Sequence, residues 1–229
     1  RQQVAANSSA PIAVLTLLSK DRGPDVRRAV GGNPATPAET LSVLAQSKDA
    51  YARQSVARNP STPVEILTTL ACDEDPVTRF PVAGNPSATV GLVTLLAGDR
   101  HAACRRLAAA NPITPVELLM TLANDEDPGV RGEGVASNPA TPTRVLRSLA
   151  CDNDPWVRYY VARNPFAPDG LLTELARDKE KRVREGVAMN PSAPTEIIKE
   201  LVEDPEQSVR QYVARNSATP VELFVRMVN

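Results

Sequence analysis

The sequence predicts an all-α solenoid without β-strands. Three observations carry this. An asparagine-centred corner recurs nine times, apolar residues keep fixed places relative to it, and proline marks helix starts up to twice in a period. The corner asparagines are Asn7, Asn33, Asn59, Asn85, Asn111, Asn138, Asn164, Asn190 and Asn216, spaced by 26 residues except for one step of 27 between Asn111 and Asn138. A fixed period of this size makes each repeat one small unit that buries its apolar face only against its neighbours. The array spans 1–229 as a single domain: a partial repeat over 1–6, eight full repeats opening at Asn7, Asn33, Asn59, Asn85, Asn111, Asn138, Asn164 and Asn190, and a partial repeat over 216–229.

Residues 59–84 give one repeat in order. Thr62 suits a helix N-cap, Pro63 the first helical position, and Glu65 the third, a capping box with proline inside it. The pairs Thr36/Glu39, Thr114/Glu117 and Thr219/Glu222 repeat the pattern. Apolar residues then fall at helical spacing. One column reads Leu15, Leu41, Leu67, Val93, Leu119, Leu146, Leu172, Ile198 and Phe224, and another reads Leu18, Leu44, Leu70, Leu96, Leu122, Leu149, Leu175, Leu201 and Met227. Burial of each such side chain contributes about 1.5–3 kcal/mol, so the two columns are the predicted core.

A second segment follows Asp75-Pro76, again a cap with proline behind it. Its buried column is Val4, Val30, Val56, Val82, Ala108, Val135, Val161, Val187 and Val213, and the adjacent column is alanine throughout except Gly31, which implies close backbone approach. Pro81, Gly134 and Gly186 interrupt this segment, and an internal proline costs an α-helix about 3 kcal/mol. The expectation is a short 3₁₀-type turn that alternates with the α-helix. Two places depart from the pattern. Around Asn85, Thr89 replaces the helix-starting proline and Gly91 and Gly98 enter, so this repeat is expected to be the least regular. The extra residue falls at Gly132, Glu133 and Gly134, where a local bulge is expected.

The composite pattern Asn59-Pro60-x-Thr62-Pro63-x-Glu65-x-Leu67-x-x-Leu70-Ala71-x-Asp73-x-Asp75-Pro76, with Val157-Arg158-x-x-Val161-Ala162-x-Asn164-Pro165 in a later copy, resembles the leucine-rich repeat variant family over essentially the whole chain. The resemblance implies a right-handed superhelix of alternating α- and 3₁₀-helices. Its best-known member also carries an amino-terminal iron–sulfur domain, which needs several closely placed cysteines. Cys72 and Cys151 lie three repeats apart, so no cofactor is expected in this chain, and a cluster would belong to a domain upstream of Arg1.

Composition narrows the function classes. With 26 basic and 27 acidic residues the net charge is −1, so no global field draws the chain to nucleic acid or membrane. No apolar run reaches the length of a transmembrane helix, no signal peptide is visible, and three scattered cysteines make no disulfide framework; a cytoplasmic setting is expected. One histidine, and no phosphate loop, carboxylate pair or Ser/His/Asp set, point away from catalysis. His101 and Cys104 form an H-x-x-C pair without the two further ligands zinc needs. No metal site is expected.

The polar columns suggest two uses. Arg1, Arg27, Arg53, Arg79, Arg105, Arg131, Arg158, Arg184 and Arg210 form a rail that could meet nucleic-acid phosphates. They advance in step with Asp21, Ser47, Asp73, Asp99, Asp125, Asp152, Asp178 and Asp204, and the two ladders are expected to pair. The Asn ladder is expected to satisfy carbonyls of neighbouring repeats. Four of eight aromatics fall between Trp156 and Phe166; Trp156, Tyr159, Arg163 and Phe166 are the candidate partner-binding residues, being the types that dominate binding hot spots, while Tyr160 reads as inter-repeat filling. The expected function is a non-enzymatic scaffold that binds a protein partner on its curved surface. The alternative is a nucleic-acid-binding solenoid that uses Arg58, Arg163 and Arg215. The apolar stretch 221–228 implies that further residues flank the array or that its end packs on something else, end-to-end self-association included.

Overall fold

A computed structural model describes residues 1–223. The chain divides into two compact units, Arg1–Thr114 and Pro115–Asn229. The first holds α1 (Gln2–Ala6), α2 (Ile12–Leu18), α3 (Pro24–Gly32), α4 (Ala38–Ala45), α5 (Ala50–Arg58), α6 (Val64–Ala71), α7 (Pro76–Ala83), α8 (Val90–Ala97) and α9 (Ala102–Ala110). The second holds α10 (Val116–Leu122), a π-helix π1 (Val130–Ala136), α11 (Thr143–Leu149), α12 (Pro155–Arg163), α13 (Asp169–Leu175), α14 (Lys181–Met189), α15 (Thr195–Leu201) and α16 (Gln207–Arg215). No strand occurs among the described residues. Each unit is an α-solenoid in which every repeat contributes two helices and the second helices of successive repeats stack against one another.

The predicted core is the observed one except at Val4, which stands in the partial first repeat and is exposed while Ala5 beside it is buried. Leu15, Leu41, Leu67, Val93, Leu119, Leu146, Leu172 and Ile198 are fully buried, as are Val30, Val56, Val82, Val135, Val161, Val187 and Val213. Phe224 and Met227, the last members of the two leucine columns, lie outside the described residues. A further column, Ala52, Thr78, Cys104, Val130, Val157, Val183 and Val209, is also buried on the second helices.

The second segment is not a 3₁₀ turn. It is an α-helix of eight or nine residues in α3, α5, α7, α9, α12, α14 and α16. Burying Ala52, Val56 and Ala57 together requires the 3.6-residue period, and that packing outweighs the one bond Pro81 removes. Three-residue closure occurs at the two ends of α5, where the Ala52 N–H donates to Asp49 O at 3.0 Å and the Asn59 N–H to Val56 O at 3.1 Å.

Thr62 does not cap its own helix. Pro63 occupies the N-cap and the helix begins at Val64. The Thr62 hydroxyl turns back and donates to Val56 O at 2.6 Å; Thr36, Thr141 and Thr219 do the same to Val30, Val135 and Val213. A buried carbonyl at a helix end costs more to leave unmatched than amides that reach water. Among the second helices α5, α7 and α12 start on the expected cap, with Asp49, Asp75 and Asp154 accepting from Tyr51, Val77 and Trp156 N–H, whereas Gly23, Glu180 and Glu206 give α3, α14 and α16 no side-chain cap.

The repeat at Asn85 is as regular as its neighbours. Thr89 takes over as a true N-cap, its Oγ1 accepting from Leu92 N–H at 3.4 Å, and Gly98 falls just past the helix as its C-cap. The bulge at Gly132, Glu133 and Gly134 is real: it is π1, where Ser137 N–H donates to Gly132 O, five residues back, at 3.1 Å.

Candidate functional site

Two polar ladders knit neighbouring repeats. Asn190 Nδ2 donates to Ala162 O at 2.8 Å and Asn164 O at 2.9 Å in the preceding repeat, while its Oδ1 accepts from Ser192 N–H at 2.8 Å. Asn33, Asn59, Asn85, Asn164 and Asn216 repeat the first two contacts. These asparagines leave their helices in extended geometry, which a following proline favours at Asn33, Asn59 and Asn164 and which Asn216 keeps before Ser217, and no described residue takes a positive φ.

Arginines form the other ladder. The forks of Arg53, Arg79, Arg131, Arg158 and Arg184 bind Asp73, Asp99, Asp152, Asp178 and Asp204 with Nε–Oδ2 distances of 2.6–2.7 Å. The same guanidinium reaches back through Nη1 to carbonyls before its own helix, as Arg158 does to Asp152 O at 2.7 Å and Asn153 O at 3.2 Å. Where Ser47 stands in the aspartate column, Arg27 donates to Asp21 O and Arg22 O, and Arg28 takes Asp49 instead. Most of this rail is spent on structure, and the pairing expected from the sequence holds.

His101 and Cys104 have separate structural roles. His101 Nδ1 accepts from Ala103 N–H at the start of α9, and Cys104 lies fully buried in the second-helix core. Burial pushes its thiol up to about 11.

The candidate surface lies on α12. Trp156 is 46 % exposed and meets Tyr159 edge-to-face with ring centroids 5.5 Å apart. Arg163, one helical turn on, places its guanidinium 5.7 Å from the Tyr159 ring. These three sequence candidates form one group. Phe166 does not join them: it sits at the corner after Pro165, 63 % exposed, and makes none of the ring contacts among the described residues. Two members escaped sequence reading. Arg182 stacks 4.4 Å from the Trp156 ring, and the signal was available, because it stands one 26-residue period after Trp156. Tyr160 fills inter-repeat space, as expected, but it also walls two grooves. One, of about 290 Å³, is lined by Pro128, Gly129, Glu133, Asp154, Trp156 and Tyr160; the other, of about 220 Å³, by Ser137, Tyr160, Arg163 and Asn164.

Glycines on both neighbouring helices make room for this bulk. A Cβ on Gly132 of π1 would stand 3.0 Å from Tyr160 Cδ2, and one on Gly186 of α14 would stand 2.9 Å from Tyr159 O and 3.0 Å from Ala162 Cβ. Gly186→Ala is therefore expected to cost about 1–3 kcal/mol through overpacking, despite the better helix propensity of alanine. Gly170→Ala on α13, whose Cβ meets nothing within 4 Å, is expected to gain about 0.5–1 kcal/mol. Urea midpoints of the two variants check the contrast.

This solenoid of helix pairs has a solved counterpart. A structure described as a leucine-rich repeat variant with a novel repetitive protein structural motif superposes with a TM-score of 0.60 at 26 % identity, covering 93 % of this chain and 84 % of that one. The array resembles that leucine-rich repeat variant over most of its length. An engineered protein is a weaker match to the array, with a TM-score of 0.47 at 18 % identity, covering 99 % of this chain and 86 % of that one. No protein-family model and no curated protein matches the array. No helix among its described residues is long and apolar enough to cross a membrane.

Proposed function

We propose that the array is a non-enzymatic scaffold that binds a protein partner over the exposed face of α12 and its neighbours π1 and α14. The observation that carries this is the clustering of Trp156, Tyr159, Arg163 and Arg182 around two grooves, in a chain with only eight aromatic residues. Aromatic and arginine side chains beside a cleft are the anchors protein partners use. The reading calls on no cofactor, and the free cysteines suit a reducing, cytoplasmic compartment. The arginines of the nucleic-acid alternative support it less well. Arg58 and Arg163 lie over Phe80 and Tyr159, and their column is interrupted by Gly84, Ala110, Ser137 and Met189, so it gives no continuous rail.

Peptides selected from a display library against the immobilised array test the reading. Their affinity is expected to fall at least about ten-fold, a loss of about 1.4 kcal/mol, in the Trp156→Ala/Tyr159→Ala double variant, with its unfolding midpoint as the control for folding. Peptides indifferent to the double variant would sink the surface assignment. A DNA or RNA affinity that drops steeply with salt would replace it with the nucleic-acid reading.

A further inference from the structure

The larger groove has a chemistry more specific than a general contact surface. We propose that the groove between π1 and α12 is a subsite for one cationic side chain of the partner, an arginine or lysine head group; this rests on the protein-binding reading above. Its aromatic walls are Trp156 and Tyr160, and its charged lining is Glu133 and Asp154. Ring faces and carboxylates together favour a cation and disfavour an anion. The volume, about 290 Å³, lies at the small end of ligand clefts, which run from roughly 300 to 1,000 Å³, so it suits one side chain. Trp156 already carries the guanidinium of Arg182, contributed by α14, while the groove is bounded by the opposite neighbour, π1.

The walls are held in place. Asp154 Oδ1 accepts from Trp156 N–H at 2.7 Å, and the Asp154 N–H donates to Asp152 Oδ1 at 2.9 Å, so this carboxylate is fixed at the start of α12. Gly129 stands where other repeats carry Tyr51, Val77 or Ala103, which leaves the space beside Trp156 open. The π-helix supplies Glu133 from the inserted turn, and Gly132 lets Tyr160 lie against it. No other repeat combines these four features.

Trp156 is the sole tryptophan, so its fluorescence reads the groove directly in the intact chain. At fixed ionic strength, N-acetyl-arginine amide is expected to change the emission saturably, and the neutral isostere N-acetyl-citrulline amide to bind at least about five-fold more weakly. Asp154→Asn, which keeps a competent N-cap, Glu133→Gln, and Tyr160→Leu, which keeps bulk without the ring face, are each expected to weaken the arginine probe about three-fold or more. Equal binding of citrulline, or unchanged affinity in all three variants, overturns the subsite. Selected peptides that depend on Trp156 but keep their affinity when arginine and lysine are replaced by citrulline and norleucine also overturn it, and leave the scaffold reading standing. An arginine probe that binds while no selected peptide depends on Trp156 does the reverse.

Discussion

Asn190→Ala is expected to destabilise the second unit by about 2–4 kcal/mol. The side chain is completely buried. Its removal strips Ala162 O of the donor that reaches it from the next repeat and leaves Ser192 N–H without its acceptor, each at a cost of about 1–3 kcal/mol. Asn164 O suffers less, because it also accepts from Ala167 N–H at 3.0 Å. Asn190→Asp separates hydrogen bonding from shape. A carboxylate there would point an oxygen at two carbonyl oxygens, so its folded-state pKa should rise above the unfolded value. Stabilisation by the protonated form would then be present at low pH and lost as pH rises through the folded value. Urea midpoints near pH 7 and pH 4.5 should show this variant gaining on the wild type as pH falls. Equal deficits at both values would mean the carbonyls are matched in some other way.

Arg158→Met is expected to cost about 3–5 kcal/mol near neutral pH. The fork and its partner are both largely enclosed, with side-chain exposures of 10 % and 11 %, and the loss of one member strands the other's charge. Burial pushes the Asp178 carboxyl up, but the Arg158 fork and the Glu180 N–H more than offset that and hold it below the usual carboxylate range. Asp73 and Asp152 are held down against burial in the same way. Asp99 is held down first by Arg79, with burial opposing. The sign follows. Depressed folded-state values mean the ladder's contribution is complete above the unfolded pKa, about 3.9, and is lost as pH falls through the folded values. Wild-type stability is expected to stay flat from neutrality to about pH 5 and to collapse below about pH 4. In Arg158→Met the deficit should shrink with acidification, as the stranded carboxylate protonates. Arg158→Met/Asp178→Asn should recover most of the loss at pH 7, because the amide oxygen still accepts from Glu180 N–H. A double variant no better than the single one would show that the carbonyl bonds of Arg158, and not its charge, carry the effect.

The ladders and the core were legible because each is a column. A role repeated every 26 residues is stated many times over, and Leu67, Asn59 and Arg53 needed no coordinates to be placed together. Roles that depend on direction were not. The Thr62 hydroxyl had two carbonyl or amide targets within reach, and sequence spacing favoured the one ahead; burial of Val56 O decided for the one behind. Pro81 argued locally against an α-helix, and the packing of Val82 and Ala83, both fully buried, overruled it. The candidate surface was half legible. Trp156, Tyr159 and Arg163 stood out by type, whereas Glu133 and Gly132 acquire their places only through the π-helix, whose geometry no column states.

That π-helix shows how the array counts. The extra residue lengthens the Arg131–Asp152 step to 21 positions, against 20 for Arg158–Asp178. In the next repeat Asn164 finds Ala136 and Asn138 at the usual separations of 28 and 26. Each repeat takes its register from the asparagine bond to the one before, so a length error is absorbed inside one period and is not passed on. Insertions and deletions of single residues should therefore survive in second helices far more readily than at the corners. A chain assembled this way can acquire local novelty, a groove included, without renegotiating its fold.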